Sequence, residues 1–415
     1  MDVIAMIERL SEKGHAPSDG CGLFDIGNDE RIERIRKTYL ENRFQRGISS
    51  EKFVVGPFGS GKTHFVNQLC EVARNMDCVS STVALTRDVD VTSNYYIYRE
   101  IAREIRPPDS TNRGIRNLMI SCFDRVDASS QKQTDSREKA GQFLRMWIEG
   151  LEEHDFELDM FGRVARQAFD SYLKNDRGRF DSACQWIAGE LESKPIAKTL
   201  DIPPIAKREL NLIARRISLS LYQLIKKVGY HGTVVVFDEA EQGFEIGKRK
   251  QSVLYSLMQS EINSIVNLDG GSVLMLYAIV PAIREGMMDF PALQQRVSHP
   301  IPFDENVRAP IIEINRPERL SKEEIIDELE SIGTKLTDLM FAEAGSRITI
   351  PRDDVVREIH ELAVRITEEN INISGRRDMV KGTCSLLMHV HDNGELLDLD
   401  DVLASDTDDE VEDEV

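Results

Sequence analysis

The six cysteines, Cys21, Cys70, Cys78, Cys122, Cys184 and Cys384, include no C-x-x-C pair. A zinc site or a disulfide framework is therefore not expected, and reduced thiols in a cytosolic protein account for them. No apolar run reaches the length of a membrane span, and the first residues lack the apolar core of a signal peptide. The expectation is a soluble, cytoplasmic chain with no membrane partner. No repeat recurs at a fixed period. An excess of basic residues is missing too. The formal net charge is −20, and eleven acidic residues with no Lys or Arg lie from Glu395 to Val415, which leaves −9 on residues 1–394. Such a chain is not a basic nucleic-acid coat, and any contact with DNA or RNA needs a local basic patch.

What is present suffices for a large core: 415 residues, 41% hydrophobic, in one large domain or two to three ordinary ones. One stretch organises them. Phe53-Val54-Val55 reads as a short apolar strand, Gly56-Pro57-Phe58-Gly59-Ser60-Gly61-Lys62-Thr63 as G-x-x-x-x-G-K-[ST], and His64 to Met76 as a helix. A loop of this composition between strand and helix is built to hold nucleotide phosphates. Gly56, Gly59 and Gly61 let backbone N–H groups curl inward, and the helix N-terminus adds partial positive charge. Lys62 is the cation for the β- and γ-phosphates, and Thr63 offers a hydroxyl to Mg²⁺.

Ahead of the loop, residues 1–18 read as a short amphipathic helix and a polar loop, and Ile32, Ile35 and Leu40 mark the apolar face of a second helix. Between them, Ile26 and Gly27 are candidates to contact the base of a nucleotide; an ordinary helix start capped by Asn28 or Asp29 is the competing reading. Val79 to Thr86 reads as a second strand, followed by Asp88 and Asp90, as loop or cap acids or, as a lesser option, Mg²⁺ or substrate contacts. Tyr95-Tyr96-Ile97-Tyr98 opens a helix whose rings pack rather than stack on bases.

From about residue 107 to 228 strand-like runs vanish and helical spacing takes over, which predicts a helical insertion. Asp127 to Lys139 is expected as a polar, mobile stretch and Lys194 to Pro204 as a linker. Lys207, Arg208, Arg215 and Arg216 form either a solvated face or a DNA-facing patch. The sheet resumes at Thr233-Val234-Val235-Val236-Phe237-Asp238-Glu239. A buried parallel strand delivers its terminal acids beside the phosphate loop. Asp238 is expected to hold Mg²⁺ through water, and Glu239 to polarise the attacking water. Lys248-Arg249-Lys250 follows, as a plain helix-start surface or, as a lesser option, a cluster facing DNA or a neighbouring subunit. The strand Ser272 to Val280 ends without the Asn or Thr that senses γ-phosphate in many such ATPases. Arg296, on a short helix, is either a finger reaching a neighbour's γ-phosphate or a salt-bridged arginine. Three capped helices, Leu320 to Phe341 with a Ser321/Glu324 capping box, Arg352 to Asn370 with Asp353, and Arg376 to His391, read as a helical lid in which Arg376 or Arg377 swings onto nucleotide. Residues 395–415 read as a disordered acidic tail.

Together the phosphate loop, the Asp238-Glu239 strand, the Arg296 helix and Gly375-Arg376-Arg377 resemble an AAA+ ATPase. More closely, FVVGPFGSGKTHF, the long helical insertion and GYHGTVVVFDEAEQ resemble the ATP-binding protein (BrxD-like) of BREX-type bacteriophage-exclusion systems, over most of residues 20–390. The fold class implied is α/β: a P-loop NTPase (AAA+-like) parallel sheet core with a large helical insertion and a C-terminal helical lid. Its segments are 1–50, a core over 51–315 with the insertion at about 107–228, a lid over 316–394 and a tail over 395–415. By the resemblance, Gly56, Pro57, Phe58, Gly59, Ser60, Gly61, Lys62, Thr63, His64 and Arg377 bind ATP, Thr63 and Asp238 bind Mg²⁺, and Glu239, Lys62 and Arg296 are catalytic. The implied function is ATP hydrolysis in anti-phage defence, by a homo-oligomer acting on or loading onto double-stranded DNA with other defence proteins. The alternative is an ATP-dependent switch or scaffold that regulates such partners without touching DNA.

Overall fold

The computed structural model describes residues 2–14, 16–86, 88–239, 248–314, 320–369 and 375–400. Residues 240–247 with Glu241, the boundary at Pro317, Ser374 and residues 401–415 lie outside them, as do the side chains of Lys248, Arg249 and Lys250.

Five strands form a parallel sheet in the order β2-β3-β4-β1-β5: β1 Ser50–Val55, β2 Cys78–Ala84, β3 Gly232–Asp238, β4 Val273–Ile279 and β5 Ile311–Glu313. The apolar runs of the sequence explain the middle of the sheet. Every residue of β3 and of β4 is buried, as expected of strands covered on both faces. Register places Ala84 opposite Asp238 and Phe237 opposite Tyr277. Phe53, Tyr277 and Phe237 stack in a row across β1, β4 and β3, with ring centroids 5.4 Å and 5.0 Å apart. Tyr277 is thus a packing residue, its hydroxyl donating to the Met275 sulfur at 3.1 Å.

Contacts divide the chain into two compact units. The first comprises residues 1–33, 54–71 and 312–415. It holds helix α1 (Val3–Lys13), capped by Asp2 and ended by Gly14 at φ 60°, most of α2 (Asp29–Ile35) and most of α3 (Lys62–Asn75). The second comprises residues 34–53 and 72–311. There the chain from β2 to β3 contains α4 (Asn94–Glu104), α5 (Ile115–Lys132), α6 (Arg137–Glu149), α7 (Asp159–Leu173), α8 (Arg177–Ile187), α9 (Lys194–Thr199) and α10 (Leu210–Val228), and no strand among the described residues. These helices share one apolar cluster that includes Leu118, Phe161, Trp186 and Leu221.

Two stretches of this region differ from expectation. The polar run 127–139 is mostly helix. α5 continues to Lys132 because Val126 and Ser130 are buried, and α6 restarts where Ser136 caps it by accepting from the Lys139 N–H. The linker from Lys194 contains α9. Pro195 sits in its first turn, where its missing N–H costs nothing, and Ile196 and Ala197 are buried. Tyr95 and Tyr98 pack inward as predicted, while Tyr96 is exposed.

After β3 come α11 (Lys248–Val266), α12 (Pro281–Met288) and α13 (Pro291–Val297). The C-terminal helices belong to the first unit: α14 (Lys322–Ala344), α15 (Arg352–Glu369) and α16 (Gly375–Asn393). The Ser321/Glu324 capping box is present. Asp353 lies in the first turn of α15 rather than before it. The three helices pack closely at Gly333, where a Cβ would meet Ile359, Met379 and Thr383 side-chain atoms at 2.6, 2.7 and 2.9 Å. α1 covers their shared core with Met6, Ile7 and Leu10. Residues 395–400, read from sequence as tail, pack here too: Leu399 is buried in that core, and Asp400 pairs with Arg365.

Candidate functional site

In the first unit the strand–loop–helix stretch closes on itself as its glycines require. A Cβ on Gly56 would lie 2.4 Å from Ser60 Oγ and 2.8 Å from the Ile314 carbonyl oxygen. Gly59 and Gly61 take φ of 68° and 91°, which other residues rarely adopt. The buried Lys62 donates from Nζ to the carbonyls of Gly56 and Pro57 at 3.0 and 2.9 Å. Its ammonium also lies 5.5 Å from the ring centre of Phe58, which is 56% exposed. Ser60 Oγ is buried without a hydrogen-bond partner. Thr63 is half-buried in the first turn of α3.

Of the two arginines that open α16, Arg376 is the one that reaches this loop. Its Nη1 donates to the Ser60 carbonyl at 3.2 Å, while Nε and Nη2 pair with Glu328 of α14. Arg377, the arginine assigned to ATP by resemblance, is exposed and lies against the end of α1, its Cγ 3.3 Å from where a Gly14 Cβ would sit. Neighbours on one helix point about 100° apart, so only one of two consecutive arginines can face the loop.

A second polar group steadies α3. Asp25, 2% exposed, accepts from the Asn28 N–H at 3.1 Å and from Asn28 Nδ2 at 2.6 Å. Nε2 of His64 lies 3.3 Å from Asp25 Oδ1, near enough for an ion pair though not aligned as a full hydrogen bond. Lys335 of α14 donates to the Asp25 carbonyl. Burial pushes the Asp25 carboxyl up, but the contacts from His64 and Asn28 outweigh it and hold it below its ordinary value. Further along α3, Glu71 accepts from the Gly20 N–H at 2.9 Å and Asn67 donates to the Pro17 carbonyl at 3.1 Å. The segment before α2 is therefore tied to α3 by Pro17, Gly20 and Asp25. Ile26 packs against the core shared by α1 and α14 to α16, and Gly27 has nothing within 4 Å of where a Cβ would be.

In the second unit, Asp238 is buried at the end of β3, its carbonyl accepting from the Leu85 N–H at 2.9 Å. Glu239 follows, half-buried, at φ 52°. Most other non-glycine residues at positive φ here are Asp or Asn, which tolerate it; Glu239 and Ser272 are not. Arg296 is half-buried and paired within the chain, with Asn263 Oδ1 and with Glu51 Oε1 at 3.7 Å. The basic face of α10 is partly consumed. Arg215 donates to Ser260 Oγ at 2.7 Å and to Ser264, and Arg216 donates to the Glu157 carbonyl. Lys207 and Arg208 are exposed.

Sequence reasoning missed Asp25, Glu328 and Lys335. Their contacts to His64, Arg376 and Asp25 respectively join residues far apart in the chain.

The loop fits a phosphate group. It has a fold that a Cβ at Gly56 would fill, an orphaned Ser60 hydroxyl, a lysine ammonium and an arginine at one carbonyl. Among the described residues no cluster of three or more His, Cys, Asp or Glu could hold a metal. Thr63 in the first unit carries a hydroxyl and Asp238 in the second a carboxylate, each an oxygen donor of the kind that Mg²⁺ accepts. No helix among the described residues is long and apolar enough to cross a membrane. No curated protein and no solved structure matches the chain. A family model does, over residues 2–406, so the chain with this loop belongs to the BREX system ATP-binding protein BrxC/D family.

Proposed function

We propose that this chain is a Mg²⁺-dependent ATPase of AAA+ type that serves anti-phage defence as a nucleotide-driven switch. The observation that carries the reading is the loop itself, with Gly56 and Gly61 where only glycine fits and Lys62 beside its carbonyls. In this reading Gly56, Pro57, Phe58, Gly59, Ser60, Gly61, Lys62, Thr63 and His64 line the phosphate end, and Lys62 exchanges its carbonyl partners for phosphate oxygens. Thr63 and Asp238 are the Mg²⁺ ligands. Glu239 accepts the proton of the attacking water. A glutamate in a left-handed backbone conformation costs on the order of 1 kcal/mol, and such strain clusters at functional sites. ATP with Mg²⁺ supplies the phosphoanhydride bond and neutralises charge on it; the chain's residues bind, orient and accept the proton. The helices from α4 to α10 are the insertion of this core, and α14 to α16 are its lid.

The switch is favoured over a DNA motor by one observation: Arg215 and Arg216, two of the four residues of the alternative DNA-facing patch, are occupied by partners in the chain. Turnover of pure protein with and without double-stranded DNA, against Glu239→Gln, separates the two. Glu239→Gln should bind ATP and turn over about a hundredfold more slowly or worse. Strong stimulation by DNA would restore the motor. Arg296 is a finger in a homo-oligomer only if it leaves Asn263 and Glu51. A mixture of Lys62→Ala and Arg296→Ala regains activity if it acts between subunits, and stays inactive in mixed oligomers if the arginine is structural.

A further inference from the structure

Glu328 belongs to none of the motifs above, yet it is the residue that aims Arg376. It lies on α14 next to Leu329, at the edge of the face that Leu329, Ile332, Leu336 and Met340 bury. Its Oε1 takes both Nε and Nη2 of Arg376. That leaves the Nη1 corner of the guanidinium to point at the phosphate loop. Nη1 is 3.2 Å from the Ser60 carbonyl and 3.5 Å from where a Cβ of Gly61 would be. The two side chains are 18% and 21% exposed, so the pair is shielded more than an ordinary surface ion pair. A guanidinium is a rigid planar fork on a flexible stem. Holding one edge of the fork therefore fixes the direction of the other. Without Glu328 the stem is free to swing into water, and the loop loses a cation that costs no ordering when the ligand arrives.

We propose that Glu328 is a positioning residue for nucleotide binding, holding Arg376 over the Ser60–Gly61 turn so that the site prefers the more highly charged triphosphate. The proposal rests on the phosphate-loop reading. An extra cation at the loop gains more from ATP than from ADP, because ATP carries the additional phosphate charge.

The test is calorimetric affinity for ATP and for ADP, measured in a Glu239→Gln background so that ATP persists. Arg376→Ala should lower the preference for ATP over ADP about tenfold. Glu328→Ala should lower it by most of the same factor, and the double variant should lose no more than Arg376→Ala alone, because both remove one device. Glu328→Gln keeps an acceptor for the fork and should recover most of the preference. A purely structural Glu328 predicts otherwise: a lower melting temperature, weaker binding of ATP and ADP alike, and an unchanged ratio. That result overturns the proposal. So do additive losses in the double variant, an increased preference in Glu328→Ala, or an unaltered ratio in Arg376→Ala. Lys62→Ala serves as the control: if it binds ATP as tightly as the parent, the phosphate-loop reading itself has failed, whatever Glu328 does.

Discussion

The phosphate loop and the helical region from α4 to α10 are stabilised by different chemistry. Around the loop the contacts are polar: Lys62 on two carbonyls, Arg376 between Glu328 and Ser60, His64 beside Asp25. In the helical region they are apolar, with Phe161, Ala165, Trp186 and Leu221 at or near zero exposure in one cluster. Hydrogen bonds and ion pairs can be exchanged for bonds to a ligand at small net cost, because their free energy is a difference between comparable partners. Interdigitated side chains cannot be exchanged without leaving a cavity. On the proposed reading, the polar contacts around the loop can yield to a nucleotide while the apolar helices serve as a frame.

Four substitutions test that contrast. The largest expected effect is in the frame. Phe161→Ala should lower unfolding stability by about 3–5 kcal/mol, and the protein that remains folded should bind ATP with parental affinity; a parallel loss of affinity in calorimetry would show that the frame is not separate from the site. Next, Lys62→Ala should weaken ATP binding by about a hundredfold or more, since it removes a charge-assisted contact to phosphate, while thermal denaturation without nucleotide shifts little.

The third test concerns a polar group inside the second unit. Burial pushes the Glu261 carboxyl up to about 7 from 4.5, against the opposing pull of Arg215. Between those values the folded chain holds a proton that the unfolded chain has released, so this group makes stability fall as pH rises from 4.5 to 7. Glu261→Gln should therefore be more stable than the parent at pH 8 by up to about 3 kcal/mol, with the gap closing toward pH 4. Equal denaturation curves at both pH values would show that Glu261 titrates normally.

Smallest is Asp25→Asn. Its folded pKa lies below the ordinary 3.8, so its contribution is present above that value and lost as pH falls through the folded pKa. The variant should be less stable at neutral pH by roughly 1 kcal/mol, with faster amide exchange in residues 22–28, and the difference from the parent should vanish in acid. Unchanged exchange there would mean that the Asp25–His64 contact does not hold the segment.

Much of the fold is legible in the sequence. β3 and β4 announced themselves as apolar runs because strands covered on both faces need apolar residues on both. The Ser321/Glu324 box marked the start of α14 because its hydrogen bonds span only three residues. The errors arose where burial overrode local composition. Asp127 to Lys139 looks like a polar, mobile stretch, yet α5 runs on to Lys132 with Val126 and Ser130 buried. Lys194 to Thr199 looks like linker until Ile196 and Ala197 find the core.

At the site, the order of residues determined everything that depends on neighbours in the chain. Gly56 to Thr63 had to turn tightly between a strand and a helix, and Asp238 and Glu239 had to stand at the end of a buried strand. What depends on residues distant in the chain was decided by tertiary structure alone. Arg376 and Arg377 are equivalent by composition and differ only in which side of α16 meets the loop. Glu328 reaches Arg376 across 48 positions and Lys335 reaches Asp25 across 310. Arg215, basic and promising in the sequence, is taken by Ser260 and Ser264. The physical reason is common to all of these. Backbone conformation is set within a few residues by sterics and local hydrogen bonds, whereas the partner of a long charged side chain is set by which surfaces the packed core brings within its reach.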